Sequence, residues 1–211
     1  MDVQVLFRKT ALAGLAILVA ALSAAPVQAA PRQERAVLAG GCFWGMEAVF
    51  EQLRGVSRVV SGFSGGNAAT AHYEIVSTGT TGHAESVEIT FDPAVISYRQ
   101  LLDVYFTVAH DPTELNRQGP DYGTQYRSAI FYTNDAQRRT AEATIRELTA
   151  AHRYSAPIVT QVVAFTAFYA AEAYHQHYLQ NNPDDPYIVT NDLPKLKALH
   201  ERFPTLLRAH A

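Results

Sequence analysis

A glycine-framed hexapeptide at residues 40–45 separates a predicted strand from a predicted helix. The apolar run at residues 35–39 is typical of a short strand, and the apolar side chains of residues 45–53 recur at helical spacing. The hexapeptide contains Cys42 and Trp44, the only cysteine and the only tryptophan in the chain. The pattern therefore predicts that Cys42 lies at a strand-to-helix turn, at or just before the first helical residue.

The position of Cys42 predicts a reactive thiol. Unpaired backbone N–H groups and the helix dipole favour an anion at a helix N-terminus. We expect them to lower the pKa of the thiol from about 8.5, which increases the fraction of nucleophilic thiolate. The alternative is a buried cysteine that packs as a small apolar side chain. The local pattern does not decide between the two.

The first residues have the features of a secretory signal peptide. A short basic stretch precedes an uncharged apolar run at residues 10–25, and residues 27–29 form a small-x-small cleavage site. The sequence therefore predicts a signal peptide at residues 1–29, cleaved near Ala29, and a periplasmic or secreted location. Residues 30–211 would form a single domain with a C-terminal helical tail.

The cysteine count and the charge narrow the function classes. An internal disulfide is impossible for one cysteine, so in an exported protein Cys42 pairs with another molecule or stays free and reactive. The formal net charge is −3 at pH 7. Such mild acidity gives no electrostatic reason to expect nucleic acid or an anionic membrane as a partner.

Strand and helix patterns alternate along the rest of the chain. Strands are predicted at residues 56–64, 83–92, 126–133 and 158–165. Helices are predicted at residues 98–110, 134–151 and 169–180, and a last helix follows an Asp192 cap and runs to about Arg202. Irregular segments are predicted at residues 67–82 and 111–123. Irregular connections and strands with one polar face favour an α+β fold, a two-layer sandwich with a mixed sheet flanked by helices, over a fully wound parallel sheet.

The strand at residues 83–92 places an acidic residue on its apolar face. Val87, Ile89 and Phe91 share one face by period-two alternation, and the same parity puts Glu85 beside them. Burial raises the pKa of a carboxyl group, which would make Glu85 a candidate general acid near neutral pH. Alternatively, the first residues of this strand emerge at the rim of the sheet, where Glu85 is solvated.

Three other chemistries fit individual residues. His175 and His177 could bind zinc, but on a helix their side chains would point roughly 200° apart. Residues 83–85 resemble the H-x-E motif of zinc deaminases. Those enzymes also need a P-C-x-x-C pair, which a chain with one cysteine cannot supply, so no metal is expected. A cysteine hydrolase or acyltransferase would need a histidine base for Cys42, which no local pattern identifies. A thioredoxin-like redox module would favour C-x-x-C, which is absent.

Several motifs follow one another in order between residues 36 and 180. They are Gly40 to Gly45, Tyr73-Glu74, Thr81-Gly82-His83-Ala84-Glu85, His110-Asp111-Pro112, Gly123-Thr124-Gln125-Tyr126-Arg127-Ser128 and Ala171-Glu172-x-Tyr174-His175-Gln176. In this order they closely resemble the A-type peptide-methionine (S)-S-oxide reductase family. The resemblance implies a ferredoxin-like core within the α+β sandwich. It also implies thiol-dependent reduction of methionine (S)-sulfoxide, in oxidised proteins or as the free amino acid, as repair of oxidative damage.

The resemblance assigns roles around the reacting sulfur. Cys42 would attack the sulfur of the sulfoxide and become a sulfenic acid, and Glu85 would protonate the sulfoxide oxygen. Tyr73 and Tyr126 match residues that hydrogen-bond this oxygen, and Asp121 matches a polar residue beside them. These roles agree with the chemistry, because a sulfoxide is a poor electrophile until its oxygen gains a proton. Donors around that oxygen stabilise the charge that develops there.

The resemblance also implies a binding pocket and an external reductant. Phe43 and Trp44 match the aromatic wall that holds the S-methyl group, and no cofactor or metal is implied. Many relatives carry resolving cysteines near the C-terminus, whereas residues 181–211 contain none. The tail resembles that of the single-cysteine branch, so a thioredoxin-like protein or a small thiol would regenerate Cys42. Another cysteine-nucleophile enzyme and a non-enzymatic redox-sensing module are the alternative functions.

Overall fold

The computed structural model describes Met1 and residues 33–209. Apart from Met1, the predicted signal peptide and its cleavage site lie outside the described residues. None of the helices formed by residues 33–209 combines the length and the apolar character needed to cross a membrane.

Most of the strands form one mixed sheet. The strands are β1 (Glu34–Ala39), β2 (Val56–Ser64), β3 (Ala84–Phe91), β4 (Arg117–Gln118), β5 (Asp121–Tyr122), β6 (Ala129–Tyr132), β7 (Gln161–Ala164) and β8 (Phe168–Ala170). The order across the sheet is β7-β6-β1-β3-β2-β8, while β4 and β5 pair separately. Within the large sheet β6 and β7 are parallel, and the other neighbouring strands are antiparallel.

The helices complete a ferredoxin-like core. They are α1 (Phe43–Glu51), α2 (Tyr73–Val76), α3 (Tyr98–Val104), α4 (Asp135–Ala150), α5 (Tyr178–Asn181) and α6 (Leu193–Arg202), and a π-helical turn at Tyr105–Ala109 extends α3. The succession β1-α1-β2-β3-α3-β6, with the spatial order β6-β1-β3-β2, is the ferredoxin-like arrangement. The predicted α+β fold class is therefore confirmed.

Alternate residues of β1 belong to two different apolar clusters. Ala36 and Leu38 pack in the main core together with buried residues of α1, α3 and α4. Val37 and Ala39 pack in a smaller cluster that includes Phe131. Because successive side chains of a strand point to opposite faces, the three helices cover one face of the sheet. The main core therefore fills the space under α1, whose first turn carries Cys42.

Two helices begin with side-chain caps. Ser97 accepts the N–H of Gln100, and the Gln100 side chain accepts the N–H of Ser97, which completes a capping box at α3. Asn134 caps α4 by accepting the N–H of Gln137. The Gln137 side chain accepts the N–H of Thr133 instead of completing the box with Asn134.

The prediction of one helix at residues 169–180 is wrong. Its first residues belong to strand β8, and a short 3-10 turn follows them. Helix α5 begins only at Tyr178, directly after His177, whose φ is 53°. The Gln176 side chain bonds both the N–H and the C=O of Ser61 in β2. These tertiary hydrogen bonds hold the segment against the sheet, and they override a helical pattern in the local sequence.

Smaller differences concern the ends of elements. The strand predicted at residues 126–133 starts only at Ala129, because residues 124–126 form a 3-10 turn, and the polar segment at residues 111–123 contains the β4–β5 hairpin. Asp192 occupies the N-cap position of α6, as the sequence predicted. Its side chain makes no capping hydrogen bond and pairs with Lys195 at 3.0 Å.

Candidate active site

The turn between β1 and α1 positions Cys42. Cys42 is the N-cap residue of α1, as the sequence predicted, and its side chain is buried. Gly41 before it has a φ of +88°, and a Cβ at this position would lie 2.5 Å from side-chain atoms of Gln118. Only glycine satisfies both the left-handed backbone and the close approach of Gln118. The glycine therefore allows the chain to place Cys42 at the first turn of the helix.

Glu85 lies directly beside this turn. Its Oε2 accepts the backbone N–H of Phe43 at 3.1 Å, and the residue is 2% exposed. The predicted burial of Glu85 is confirmed, and the solvated alternative is wrong. Burial raises the pKa of Glu85 to about 8, although the Phe43 N–H bond acts in the opposite direction. The carboxyl group is therefore mostly protonated at neutral pH and can donate a proton.

Three further polar side chains that the resemblance named line the same cavity as Glu85. Tyr73 comes from α2, Asp121 from β5 and Tyr126 from the 3-10 turn before β6. Burial raises the pKa of Tyr73 to about 12 and also raises that of Tyr126. Both hydroxyl groups therefore keep their protons and can donate hydrogen bonds to a bound oxygen. Burial also raises the pKa of Asp121.

Phe43 and Trp44 form an aromatic side of this cavity. The Trp44 ring stacks on Tyr178, with centroids 3.7 Å apart and an angle of 9° between the planes. Its indole N–H donates to His175 Nδ1 at 3.1 Å. Burial lowers the pKa of His175, which keeps the imidazole neutral and Nδ1 free to accept this bond. The stack and the hydrogen bond together fix the orientation of Trp44.

One cavity of about 300 Å³ contains every residue that the sequence assigned to the site. Its lining residues are Cys42, Phe43, Trp44, Tyr73, Glu85, Asp121, Tyr126, Asp185 and Tyr187. Sequence reasoning missed Asp185 and Tyr187, which come from the tail after α5. Tyr187 donates its hydroxyl hydrogen bond to Asp121. No local pattern marks a tyrosine in a polar tail, so only the tertiary structure reveals this wall.

The expected lowering of the Cys42 pKa is wrong. Burial raises the pKa of the Cys42 thiol well above its usual value, and the carboxyl groups of Glu85 and Asp192 raise it further. The backbone N–H of Trp44 and the ammonium group of Lys195 lower the pKa but do not compensate. Desolvation therefore outweighs the helix N-terminus, and the resting site holds a neutral thiol beside a protonated carboxyl group.

Three side chains outside the cavity have possible metal-ligand atoms close together. These atoms of Glu47, Glu51 and His177 lie within 4.8 Å of one another. His177 Nδ1 contacts Glu51 Oε1 at 2.8 Å, and Glu47 Oε2 accepts hydrogen bonds from the Ser61 hydroxyl and the His177 backbone N–H. These interactions tie α1 to the segment after β8. Of the two histidines considered for zinc, His175 is instead bonded to Trp44.

Comparison with known proteins identifies the family. The family model for peptide methionine sulfoxide reductase matches residues 34–206. The chain belongs to this family. Peptide methionine sulfoxide reductase MsrA 2 of Mesorhizobium japonicum is 57% identical over 179 residues, which cover 85% of this chain and 92% of the relative. The MsrA of Thermus thermophilus is 51% identical over 176 residues, which cover 83% and 98% of the two chains.

Solved structures of the family have the same fold. Mxr1 from Saccharomyces cerevisiae in its reduced form is 34% identical, with a TM-score of 0.68 over 72% of this chain and 87% of Mxr1. Methionine sulfoxide reductase A of Corynebacterium diphtheriae is 35% identical, with a TM-score of 0.63 over 74% and 77% of the two chains. As a member of this reductase family, the chain is an oxidoreductase that reduces methionine sulfoxide at the expense of a thiol.

The buried carboxyl group of Glu85 predicts a pH dependence of stability. Its pKa rises from 4.5 to about 8 on folding. Between these values the folded reductase keeps a proton that the unfolded chain has lost, so the free energy of unfolding falls as the pH rises, by about 1.4 kcal/mol per unit. The contribution is complete below pH 4.5 and is lost as the pH passes through 8. The Glu85→Gln variant lacks it.

Urea unfolding of the wild type and of Glu85→Gln over this pH range tests the prediction. All other groups titrate in both proteins, so the difference between the two free energies isolates position 85. We expect the wild type to lose roughly 1 kcal/mol per pH unit relative to the variant between about pH 5 and pH 8, and nothing further above that. A difference that does not change with pH would mean that Glu85 is ionised in the folded protein.

Proposed function

We propose that Cys42 is the nucleophile and Glu85 the general acid in the reduction of methionine (S)-sulfoxide by this protein. The observation that carries the proposal is the 3.1 Å hydrogen bond from the Phe43 N–H to Glu85. This bond holds a buried carboxyl group against the residue that directly follows Cys42. A carboxyl group with a pKa of about 8 can deliver a proton at neutral pH.

The proposed reaction balances without a net proton. The sulfoxide oxygen takes the proton of Glu85 while Cys42 Sγ attacks the sulfoxide sulfur, and the thiol proton passes to the Glu85 carboxylate. The oxygen then moves from the substrate sulfur to Cys42 Sγ. The new sulfur–sulfur bond and the sulfur–oxygen bond of the substrate break, a sulfur–oxygen bond to Cys42 forms, and Cys42 becomes a sulfenic acid. Two electrons move from the cysteine sulfur to the substrate sulfur, which leaves as methionine. The thiol with its raised pKa therefore loses its proton only as the substrate gains one.

The rest of the cavity fits the two ends of a methyl sulfoxide. The protonated hydroxyl groups of Tyr73 and Tyr126 can donate to the oxygen as it gains negative charge. The rings of Phe43 and Trp44 offer an apolar surface to the S-methyl group. Because the oxygen and the methyl group meet different walls, the site would accept one configuration at sulfur, which we propose to be S.

A cysteine hydrolase or acyltransferase is less well supported. Such an enzyme needs a general base beside the nucleophile, most often a histidine. No histidine is among the residues that line the cavity, within the described part of the chain. The Nδ1 atom of His175 already accepts the indole N–H of Trp44.

We propose that an external thiol regenerates Cys42 after each turnover. The chain has no second cysteine to resolve the sulfenic acid, so the reducing equivalents must come from another molecule. A thioredoxin-like protein and a small thiol are both suitable donors. Among the solved structures of related proteins is a complex of the yeast protein Mxr1 with Trx2. Oxidised proteins and free methionine sulfoxide are the two proposed substrate classes.

The role of Cys42 can be tested with the two sulfoxide epimers. We expect the protein, with dithiothreitol as reductant, to consume the S epimer of methionine sulfoxide and to leave the R epimer unchanged, as measured by chiral chromatography. Without the thiol, one turnover should leave a dimedone-reactive sulfenic acid on Cys42, detectable by mass spectrometry. The Cys42→Ser variant should do neither. Sulfoxide loss that survives this substitution would refute the proposed nucleophile.

Glu85→Gln tests the proposed acid. Glutamine can still accept the N–H of Phe43, but it has no proton to transfer. We expect the single-turnover rate of methionine formation to fall about 10²-fold or more. Glu88→Gln is the matched control, since Glu88 lies on the same strand, pairs with Arg35 and is absent from the cavity lining. Equal rates for the two variants would remove Glu85 from the chemical step.

We also propose that the protein is exported and acts in the periplasm or outside the cell. The proposal is supported by the basic start, the apolar run at residues 10–25 and the cleavage pattern at residues 27–29. Expression of the full chain in a bacterium with two membranes, followed by fractionation and N-terminal sequencing, should give a periplasmic form that starts near Ala30. Leu15→Arg, which places a charge in the apolar run, should keep the chain in the cytoplasm. An uncleaved cytoplasmic wild type would contradict the proposal.

A further inference from the structure

A second cavity reaches Cys42 beside the one already described. It has a volume of about 230 Å³, and its lining residues are Cys42, Gln118, Gly119, Pro120, Tyr187, Thr190, Asn191 and Lys195. Only Cys42 and Tyr187 line both cavities. The second cavity contains none of the proposed oxygen-binding side chains and none of the residues of the aromatic wall. The cysteine is therefore accessible from two chemically different spaces.

The tail supplies a cation to the second cavity. Lys195, in the first turn of α6, is 17% exposed at its side chain, and its Nζ donates to Asp192 Oδ1 at 3.0 Å. This is the one hydrogen bond that the ammonium group makes within the described residues. An ammonium group has three N–H donors, so it can still bind an anion in the cavity. None of the other residues that line this cavity carries a full charge at neutral pH.

Gly45 allows this ion pair to lie against the first turn of α1. A Cβ at position 45 would be 2.1 Å from Asp192 Oδ1 and 2.9 Å from Lys195 Nζ. Asp192 is fully buried, and its Oδ2 has no hydrogen-bond partner among the described residues. The pair is therefore built into the protein at the turn that carries Cys42. The positive charge of Lys195 is close enough to lower the pKa of that thiol.

The chemistry of a sulfenic acid requires a second direction of approach. A thiolate displaces the oxygen from sulfur by attacking in line with the sulfur–oxygen bond, from the side opposite the oxygen. In the proposed reaction the oxygen arrives on Cys42 from the cavity that contains Tyr73, Glu85 and Tyr126. A thiol that entered through that cavity would meet the oxygen first. The second cavity offers a path to Cys42 that avoids these groups.

We propose that the second cavity is the entry site for the reducing thiol and that Lys195 binds the incoming thiolate. The inference rests on the proposed sulfenic acid chemistry and adds the site at which that acid is reduced. In the first step the thiolate sulfur bonds to Cys42 Sγ, the sulfur–oxygen bond breaks, and the oxygen leaves as water with a proton from solvent and the proton it already holds. In the second step another thiol attacks the mixed disulfide and releases the Cys42 thiol. Two external thiols are oxidised to one disulfide.

Reduction of a preformed sulfenic acid by thiols of different charge tests this site. The sulfenic acid is first generated with sulfoxide and no thiol, and one methionine released per Cys42 confirms that the proposed first half of the cycle works. The protein is then mixed with mercaptoacetate, 2-mercaptoethanol or cysteamine, and loss of the sulfenic acid is followed by dimedone trapping and mass spectrometry. Thioredoxin is a fourth reductant, which distinguishes a protein thiol from a small one.

We expect Lys195→Gln to slow the reaction with mercaptoacetate most and with cysteamine least. The ratio of the mercaptoacetate to the cysteamine rate constant should fall about tenfold, which corresponds to about 1.4 kcal/mol. It should fall further in Lys195→Glu, because the attraction to the carboxylate is then replaced by repulsion. Using this ratio cancels any effect of the substitution on Cys42 itself. Lys197→Gln is the matched control, since Lys197 lies on the same helix with its side chain 79% exposed.

The possible outcomes separate the two proposals. Charge-dependent loss with the small thiols supports the site and assigns it to them. Loss confined to thioredoxin supports the site, and assigns it to a protein thiol, if Lys195→Gln slows it and Lys197→Gln does not; equal rates in the wild type and both variants would overturn the site. Equal ratios in the wild type and in both Lys195 variants, with normal sulfenic acid formation, would overturn the entry site while leaving the proposed reduction intact. Failure of the wild type to form the sulfenic acid would instead refute the proposed function.

Discussion

The hydrogen bond from the Phe43 N–H to Glu85 is the contact on which the site depends. It joins the first turn of α1 to β3, a central strand of the sheet. Burial works against the charged form of this carboxyl group, whereas the N–H bond works in its favour, and burial has the larger effect. The helix turn that carries the nucleophile and the strand that carries the acid are thereby held in one geometry.

The second half of the site comes from the chain after β8. Glu172 accepts the backbone N–H of Tyr73, and Gln176 bonds the backbone of Ser61. The segment after β8 is therefore held by hydrogen bonds from its side chains to distant backbone groups, rather than by the backbone hydrogen bonds of a long helix or strand. The wall that it forms around the cysteine is therefore set by long-range side-chain contacts. Changes in this segment can alter what reaches the cysteine without altering the ferredoxin-like core.

Local patterns were sufficient for much of the fold. Period-two alternation located β3 and placed Glu85 on its apolar face, and the helical pattern at residues 98–110 located α3. The missed features depend on distant partners. The segment around Gln176 does not form the continuous helix that its pattern predicts, because Gln176 bonds to β2, 115 residues away in sequence. The sign of the Cys42 pKa shift depends on how deeply the turn is buried, which periodicity does not report.

The neutral resting state of Cys42 has a consequence for its survival. Peroxides and alkylating agents attack thiolates, and exposed thiols of low pKa are the first to be lost in an oxidising environment. Cys42 is 7% exposed, with a raised pKa. On the proposed roles, only a molecule that brings its own basic oxygen to Glu85 makes this sulfur nucleophilic. The resting thiol would thus react more slowly than an exposed thiolate with the oxidants that generate the substrate of this reductase.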